Sequence, residues 1–220
     1  MIEVAGRPIL EHNVRLLVRH GITEIALNTH HLSETIATHF GDGAAFGARI
    51  RYSHEDQLLG TAGALRPLRS FFDRTFVVLF GDNLTTCDLG RLIETHRAAG
   101  AVATVALYER PDPTSSGIAE LTADGRIVRF VEKPKPDEVF SHWVNAGIVV
   151  AEPELLDYAG DDGPSDLGRD VLPALIAAGK RVAGYPMTEG LWWIDTPEDY
   201  ARTRSEFSNR DASGVTSPER

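Results

Sequence analysis

The run Thr75-Phe76-Val77-Val78-Leu79-Phe80 is apolar at nearly every position and stops at Gly81-Asp82-Asn83. A strand apolar on both faces must be covered on both sides, as strands inside a parallel sheet are. The flanking sequence agrees. Leu10, Val14, Leu17 and Val18 recur at helical spacing over residues 8–20, with Pro8 suited to the first turn and Gly21 to the C-cap. A strand at 23–28, a short helix after Ser33, a strand at 49–53, a helix at 62–69, a helix capped by Asp88 and a strand at 102–108 continue the rhythm. Such alternation predicts an α/β domain, a mainly parallel sheet with helices on both faces.

After Pro111 the pattern changes. Ala123-Asp124-Gly125 separates apolar runs at 117–121 and 127–132, and an Asp-Gly pair so placed signals a hairpin. Residues 144–151 read as a strand, 167–178 as a helix, and 182–186 and 191–193 as the last strands. A final helix takes Thr196 as N-cap, Pro197 as its first residue and Asp199 as the acid of its first turn. The second half is therefore α+β. From about Asn209 the chain has too little apolar content to order itself, which divides it into a domain over 1–208 and a disordered tail over 209–220.

A chain of 220 residues can bury one substantial core. Its formal charge of -10, with Lys and Arg scattered, argues against a surface that tracks a nucleic-acid backbone. A nucleotide is still allowed, because a phosphate ester needs only one or two local cations or a metal held by acids. No apolar segment approaches the roughly 18 residues of a spanning helix, so no membrane partner is expected. The single Cys87 cannot form an internal disulfide and the first residues carry no leader pattern, so a reducing cytoplasm is the expected location.

Asp82 follows the apolar strand directly, and in open parallel sheets ligands collect beyond the carboxyl ends of strands. It can be a metal-binding carboxylate; Gly-Asp-Asn can equally be a plain turn. Asp195, closing Trp192-Trp193-Ile194-Asp195, is either a second such acid or a turn residue favoured by the dipole of the last helix. Two such acids meeting in space would suit Mg²⁺. Gly60-Thr61-Ala62-Gly63 places two glycines and a hydroxyl where a loop enters a helix, so backbone amides can approach a base or phosphate, or a helix can pack closely. Glu132-Lys133 pairs an acid for sugar hydroxyls with a cation for a phosphate, and Asn145 can donate and accept toward hydroxyls. Solvated strand ends and a structural turn are the plain alternatives for these.

The order of these segments is more specific than any one of them. Gly-Arg-Pro-Ile-Leu-Glu-His, Leu-Gly-Thr-Ala-Gly-Ala-Leu, Gly-Asp-Asn, Val-Glu-Lys-Pro, Asn-Ala-Gly and Trp-Trp-Ile-Asp-Thr-Pro follow one another between Met1 and about Phe207. The series resembles the sugar-1-phosphate nucleotidyltransferase family, and its Gly-Thr-Ala-Gly form resembles the mannose-1-phosphate guanylyltransferase-like branch. The resemblance implies a Rossmann-like, nucleotide-diphospho-sugar transferase-like fold whose first strand is missing. It implies that Asp82 and Asp195 hold Mg²⁺, that Gly60, Thr61 and Gly63 line the nucleotide pocket, that Gly117, Glu132 and Asn145 contact the sugar, and that Lys133 faces its phosphate. The catalytic set would be Asp82, Lys133 and Asp195.

Members of that family begin with a strand and a Gly-rich loop ahead of the segment that matches Ile2 onward, and no later residues replace that loop. The implied first strand would lie between the strand at 23–28 and the one at 75–80. Its absence predicts two exposed strand edges, low stability and self-association into a homo-oligomer. The expected reaction joins a nucleoside triphosphate to a sugar-1-phosphate with release of pyrophosphate. The competing expectation is a non-catalytic module that binds a nucleotide sugar. A glycosyltransferase is disfavoured because no Asp-x-Asp pair sits at the sheet edge.

Overall fold

The computed structural model describes residues 1–212. Its chain opens with a hairpin that periodicity does not reveal: β1 (Glu3–Val4) pairs antiparallel with β2 (Arg7–Pro8). Ala5 and Gly6 make the turn at φ +49° and +74°, the left-handed region in which Ala is costly. Next comes α1 (Ile9–Arg19), which buries Ile9, Val14, Leu16 and Leu17. His20 forms its C-cap, and the expected Gly21 takes the left-handed turn one residue later at φ +76°. Then β3 (Glu24–Thr29), α2 (Ser33–Phe40) and β4 (Arg49–His54) form a crossover unit, with β3 parallel to β4 from Glu24↔Arg49 to Thr29↔His54.

The helix expected at 62–69 is two shorter pieces, α3 (Gly60–Gly63) and a 3₁₀ turn, Arg66–Phe71. Pro67 lacks the N–H an α-helix needs, and the two glycines hold α3 weakly. There follow β5 (Phe76–Leu79), β6 (Asn83–Thr85) and α4 (Leu89–Ala99), with the Asp88 carboxylate accepting from Arg91 N at 3.1 Å as the expected cap. Beyond β7 (Ala103–Glu109) lies the predicted hairpin, β8 (Gly117–Leu121) and β9 (Ile127–Glu132). Then come β10 (Trp143–Ala151), a π-helical turn at Leu167–Val171 and α5 (Leu172–Ala177). Asp166 caps the π turn: its carboxylate accepts from Gly168 N and Arg169 N, at 2.9 and 3.1 Å, and its carbonyl accepts from Val171 N at 3.2 Å.

The chain closes with β11 (Val182–Pro186), β12 (Leu191–Trp193) and α6 (Pro197–Ala212). The expected cap of α6 is a reciprocal one: Asp199 N donates to Thr196 Oγ1 and Thr196 N to the Asp199 carboxylate, both at 3.1 Å. Residues 209–212 lie in this helix rather than in a disordered tail, and the rest of the expected tail, 213–220, falls outside the described residues.

The sheet is mixed. β10 runs antiparallel to β7 along one edge and to β5 and β8 along the other, and β11 is parallel to β7 outside it. Side chains alternate across β10. Ile148 and Val150 join a core with Val14, Leu89 and Leu92 from α1 and α4, whereas Val149 and Ala151 join Leu172 and Leu175 of α5 on the other face. Helices therefore cover both faces, as the alternation predicts. A smaller cluster of Val4, Ile9, Leu84 and Trp192 clamps the first hairpin to β6 and β12.

One expectation is corrected. The strand at 75–80 reads as a parallel one covered on both faces; β5 does send Phe76 and Val78 to one core and Val77 and Leu79 to the other, but among the described residues it pairs only with β10, antiparallel, and all four of its residues are half-buried. Likewise β3 pairs only with β4. Between β3 and β5 runs a cleft of about 1040 Å³, lined by Leu27, Val77 and Leu79, with Leu10 of α1 on one side and Leu65 and Leu68 on the other. The two strands point the same way: Arg74, raised above its ordinary pKa mainly by Asp73, also feels Glu24 at their starts, while His31 and Asp82 share a cavity of about 230 Å³ past their ends.

Candidate active site

The turn bearing Asp82 is held from beneath by Asn145-Ala146-Gly147. The register of β10 against β7 shifts between Asn145 and Val149, and in this bulge Gly147 has φ +73°. Phe80 N donates to Gly147 O at 2.9 Å, and a β-carbon on Gly147 would come within 2.6 Å of Asn83 Nδ2. Only glycine fits both the conformation and the space. Asn13 Nδ2 grips the same turn from α1, donating to Asn83 O at 2.9 Å. The Asn145 side-chain oxygen accepts from Gly147 N at 2.9 Å, which leaves its NH₂ group without a partner among the described residues.

β12 brings the second acid. Trp193 pairs with Asn83, so two further steps along the same antiparallel line would set Asp195 opposite Gly81, next to Asp82, whose carboxyl feels the charge of Asp195. Both acids are exposed, and neither makes an ion pair among the described residues. The walls around Asp82 desolvate its carboxyl enough to raise its pKa, and the charge of Asp195 adds to the rise. Two adjacent carboxylates with no cation between them form a donor set that suits Mg²⁺, which takes one or two carboxylates plus phosphate oxygens and water. Among the described residues no group of three or more His, Cys, Asp or Glu could hold a metal, so substrate oxygens or water would have to complete the shell.

On the hairpin side, Gly117 is paired in register with Glu132. A β-carbon on Gly117 would lie 2.5 Å from Glu132 Oε2, and one on Gly168 of the π turn would be closer still. The carboxylate thus fills the space left by two glycines. It makes no hydrogen bond among the described residues, and its pKa is raised, chiefly by desolvation and then by Asp166, against the opposing charges of Lys133 and Arg169. Lys133 sits at φ +49° with its side chain exposed and its N–H donating to Ser116 O at 3.2 Å.

The Gly60-Thr61-Ala62-Gly63 segment differs from its reading as a source of free amides. Ala62 N and Gly63 N both donate to Ser165 O at 3.0 Å. The Thr61 hydroxyl donates to Asp166 Oδ2 and accepts from Leu167 N, each at 2.8 Å. Gly60, at φ +75°, packs so tightly on Ser165 that a β-carbon would overlap its carbonyl oxygen. The segment is latched to the loop that carries Asp166, and Thr61 borders the large cleft.

The structure therefore brings Asp82, Asp195 and Asn145 into one group, and Gly117, Glu132 and Lys133 into another. Asp166 links the second group to Thr61. Sequence reasoning missed Asp166, whose double acceptance from the π turn has no spacing signature. It also missed Tyr108 and Arg110. Tyr108 stacks on Trp193 at 5.5 Å, and the Arg110 guanidinium lies 4.5 Å over the same ring. A polar residue and a cation ending a strand are the only sequence signal for that pair.

The profile of the family described as nucleotidyl transferase matches residues 1–206. A UTP–glucose-1-phosphate uridylyltransferase of Synechocystis sp. is 35% identical, covering 99% of this chain and 60% of that protein. A mannose-1-phosphate guanylyltransferase of Mycobacterium tuberculosis is 32% identical, covering 94% of this chain and 58% of that one. The chain thus spans about three fifths of the length of these relatives. Among solved structures, a UDP-glucose pyrophosphorylase complexed with UDP-glucose superposes with a TM-score of 0.81 at 16% identity, covering 96% of this chain and 90% of that one. HddC from Yersinia pseudotuberculosis gives 0.78 at 20%, covering 94% and 88%, so the mixed, helix-flanked sheet is shared with both. The chain belongs to the nucleotidyl transferase family, among relatives named for transfer to sugar-1-phosphates.

Proposed function

We propose that this chain carries the site of a sugar-1-phosphate nucleotidyltransferase, which condenses a nucleoside triphosphate with a sugar-1-phosphate to give a nucleotide sugar and pyrophosphate. The observation that carries the reading is that Asp82, just before β6, and Asp195, just after β12, come close enough to feel each other's charge, on a molecule whose Glu132 carboxylate is seated between two glycines. Asp82 and Asp195 would hold Mg²⁺, and when bound that ion neutralises charge on the reacting phosphates. A phosphate oxygen of the sugar-1-phosphate attacks the α-phosphorus; the new P–O bond forms as the bond to pyrophosphate breaks. The chain's own residues position and neutralise. Glu132 and the free NH₂ of Asn145 bond sugar hydroxyls, with Gly117 leaving room; Lys133 faces the acceptor phosphate; Gly60, Thr61 and Gly63 border the base.

Relatives named for both uridylyl and guanylyl transfer support the reaction class, and the Gly-Thr-Ala-Gly segment favours a guanylyl donor. No helix among the described residues is long and apolar enough to cross a membrane, and Cys87 is free and buried, which support the cytoplasmic reading. The second reading, nucleotide-sugar binding without transfer, draws on one observation: the amides of Ala62 and Gly63 are taken by Ser165. The test is pyrophosphate release from a matrix of nucleoside triphosphates and sugar-1-phosphates with Mg²⁺. Release from one pairing supports transfer; nucleotide-sugar binding with no release from any pairing supports the second reading.

A further inference from the structure

We propose that Arg110, together with Lys133, grips the phosphate of the sugar-1-phosphate; the inference rests on the nucleotidyl-transfer reading above. Arg110 follows β7, where its backbone is pinned to the start of β10. Its N–H donates to His142 O at 3.0 Å and its carbonyl accepts from His142 Nδ1, also at 3.0 Å. Its guanidinium lies 4.5 Å over the Trp193 ring and Nη1 donates to Ser116 Oγ at 3.4 Å. Trp193 is itself stacked on Tyr108. The plane of the guanidinium is thus set by a ring and by the hydroxyls of Ser116 and Tyr108, leaving the rest of its N–H fork for another acceptor.

Ser116 joins the two cations. Its hydroxyl meets Arg110 while its carbonyl accepts the N–H of Lys133, and the next residue is Gly117, the register partner of Glu132. On the other side, Trp193 precedes Asp195 by two residues, and the pKa of Tyr108, raised mainly by burial, responds to the charges of both Arg110 and Asp195. Arg110 therefore stands between the acid pair that would hold Mg²⁺ and the carboxylate that would hold sugar hydroxyls. In a sugar-1-phosphate, the phosphate occupies that middle position.

Arg110 differs from the arginines that are held in ion pairs. Arg15, Arg49, Arg69, Arg74, Arg181 and Arg202 each contact a carboxylate. Neither Arg110 nor Lys133 makes an ion pair among the described residues; Asp112 feels the charge of Arg110, but its carboxylate is bonded to Thr114. A half-buried guanidinium without a counter-ion is costly, and a planar fork matches two oxygens of a phosphate monoester.

The test is equilibrium binding of glucose-1-phosphate and mannose-1-phosphate, with the two unphosphorylated sugars as controls, to the wild type, R110A and R110K. Tryptophan fluorescence reports the Trp193 environment, and thermal melts check folding. The expected result is a loss of at least about tenfold for the esters in R110A, no change for the free sugars, and an intermediate loss in the conservative variant R110K. Equal ester affinity in all three proteins, equal losses for ester and free sugar, or no ester binding by the wild type would each overturn the proposal. Pyrophosphate release measured alongside separates the two readings. An ester affinity that depends on Arg110 in a protein that transfers nothing leaves the phosphate grip standing and removes the activity; transfer with an unchanged ester KM in R110A does the reverse.

Discussion

Glu132 and Gly168 lie on different elements, the end of β9 and the π turn, yet a β-carbon on Gly168 would overlap the Glu132 carboxylate. The π turn is what brings that glycine there. Gly168→Ala should therefore push Glu132 out of its seat and raise the KM for the sugar phosphate by about tenfold, with little change for the triphosphate. Glu132→Ala should give the same split. Steady-state kinetics with each substrate varied in turn checks this, and equal effects on both KM values would mean that Glu132 is structural.

Stability against pH gives an independent reading of the same group. The pKa of Glu132 is raised from its ordinary 4.5, so its ionised form is a cost to the fold. That cost is absent below the unfolded-state pKa and fully present once pH exceeds the raised folded value. Glu132→Gln should therefore raise Tm at about pH 7 and leave it unchanged at about pH 3, below the carboxylate range. Melting curves across that interval measure it; a mutant less stable at neutral pH would show that the carboxylate is held by contacts the structure lacks.

Gly147→Ala should cost roughly 1–3 kcal/mol, because φ +73° and the contact with Asn83 are both intolerant of a β-carbon. It should also displace the Asp82 turn. Denaturant unfolding gives the stability loss, and Gly179→Ala, at the same φ but with open space around it, is the control for backbone strain alone.

The facing edges of β3 and β5, along an apolar cleft, pair with no strand among the described residues, so this chain should self-associate by strand pairing. Light scattering should show oligomers that shrink when Leu27→Lys and Val77→Lys place charge in the cleft. A wild-type monomer that melts cooperatively would show that the cleft is tolerated.

Much of this was readable from local signals. The spacing of Leu10, Val14 and Leu17, the caps at Asp88 and Thr196, and the Asp-Gly turn each act over a few residues, and each element they predict is present. Pairing partners were not readable, because a side-chain pattern does not say that β10 lies between β5 and β7; that follows from packing across the whole chain. The resemblance implies that Asp82 and Asp195 act together, and no local signal could bring them near each other; that depends on β12 returning beside β6. Arg110 was missed because nothing local ties it to Trp193, 83 positions later in the sequence.

The most direct measurement is Mg²⁺ affinity together with Mg²⁺-dependent pyrophosphate release in wild type, Asp82→Asn and Asp195→Asn, with thermal melts alongside. Both variants should keep their fold, because neither carboxylate makes an ion pair among the described residues and the backbone bond to the Asp82 carboxyl comes from its own N–H. Each should lower release by on the order of a hundredfold or more and weaken Mg²⁺ binding. Folded variants with wild-type turnover and unchanged Mg²⁺ affinity would contradict the assignment of these two acids, and with it the account of the site.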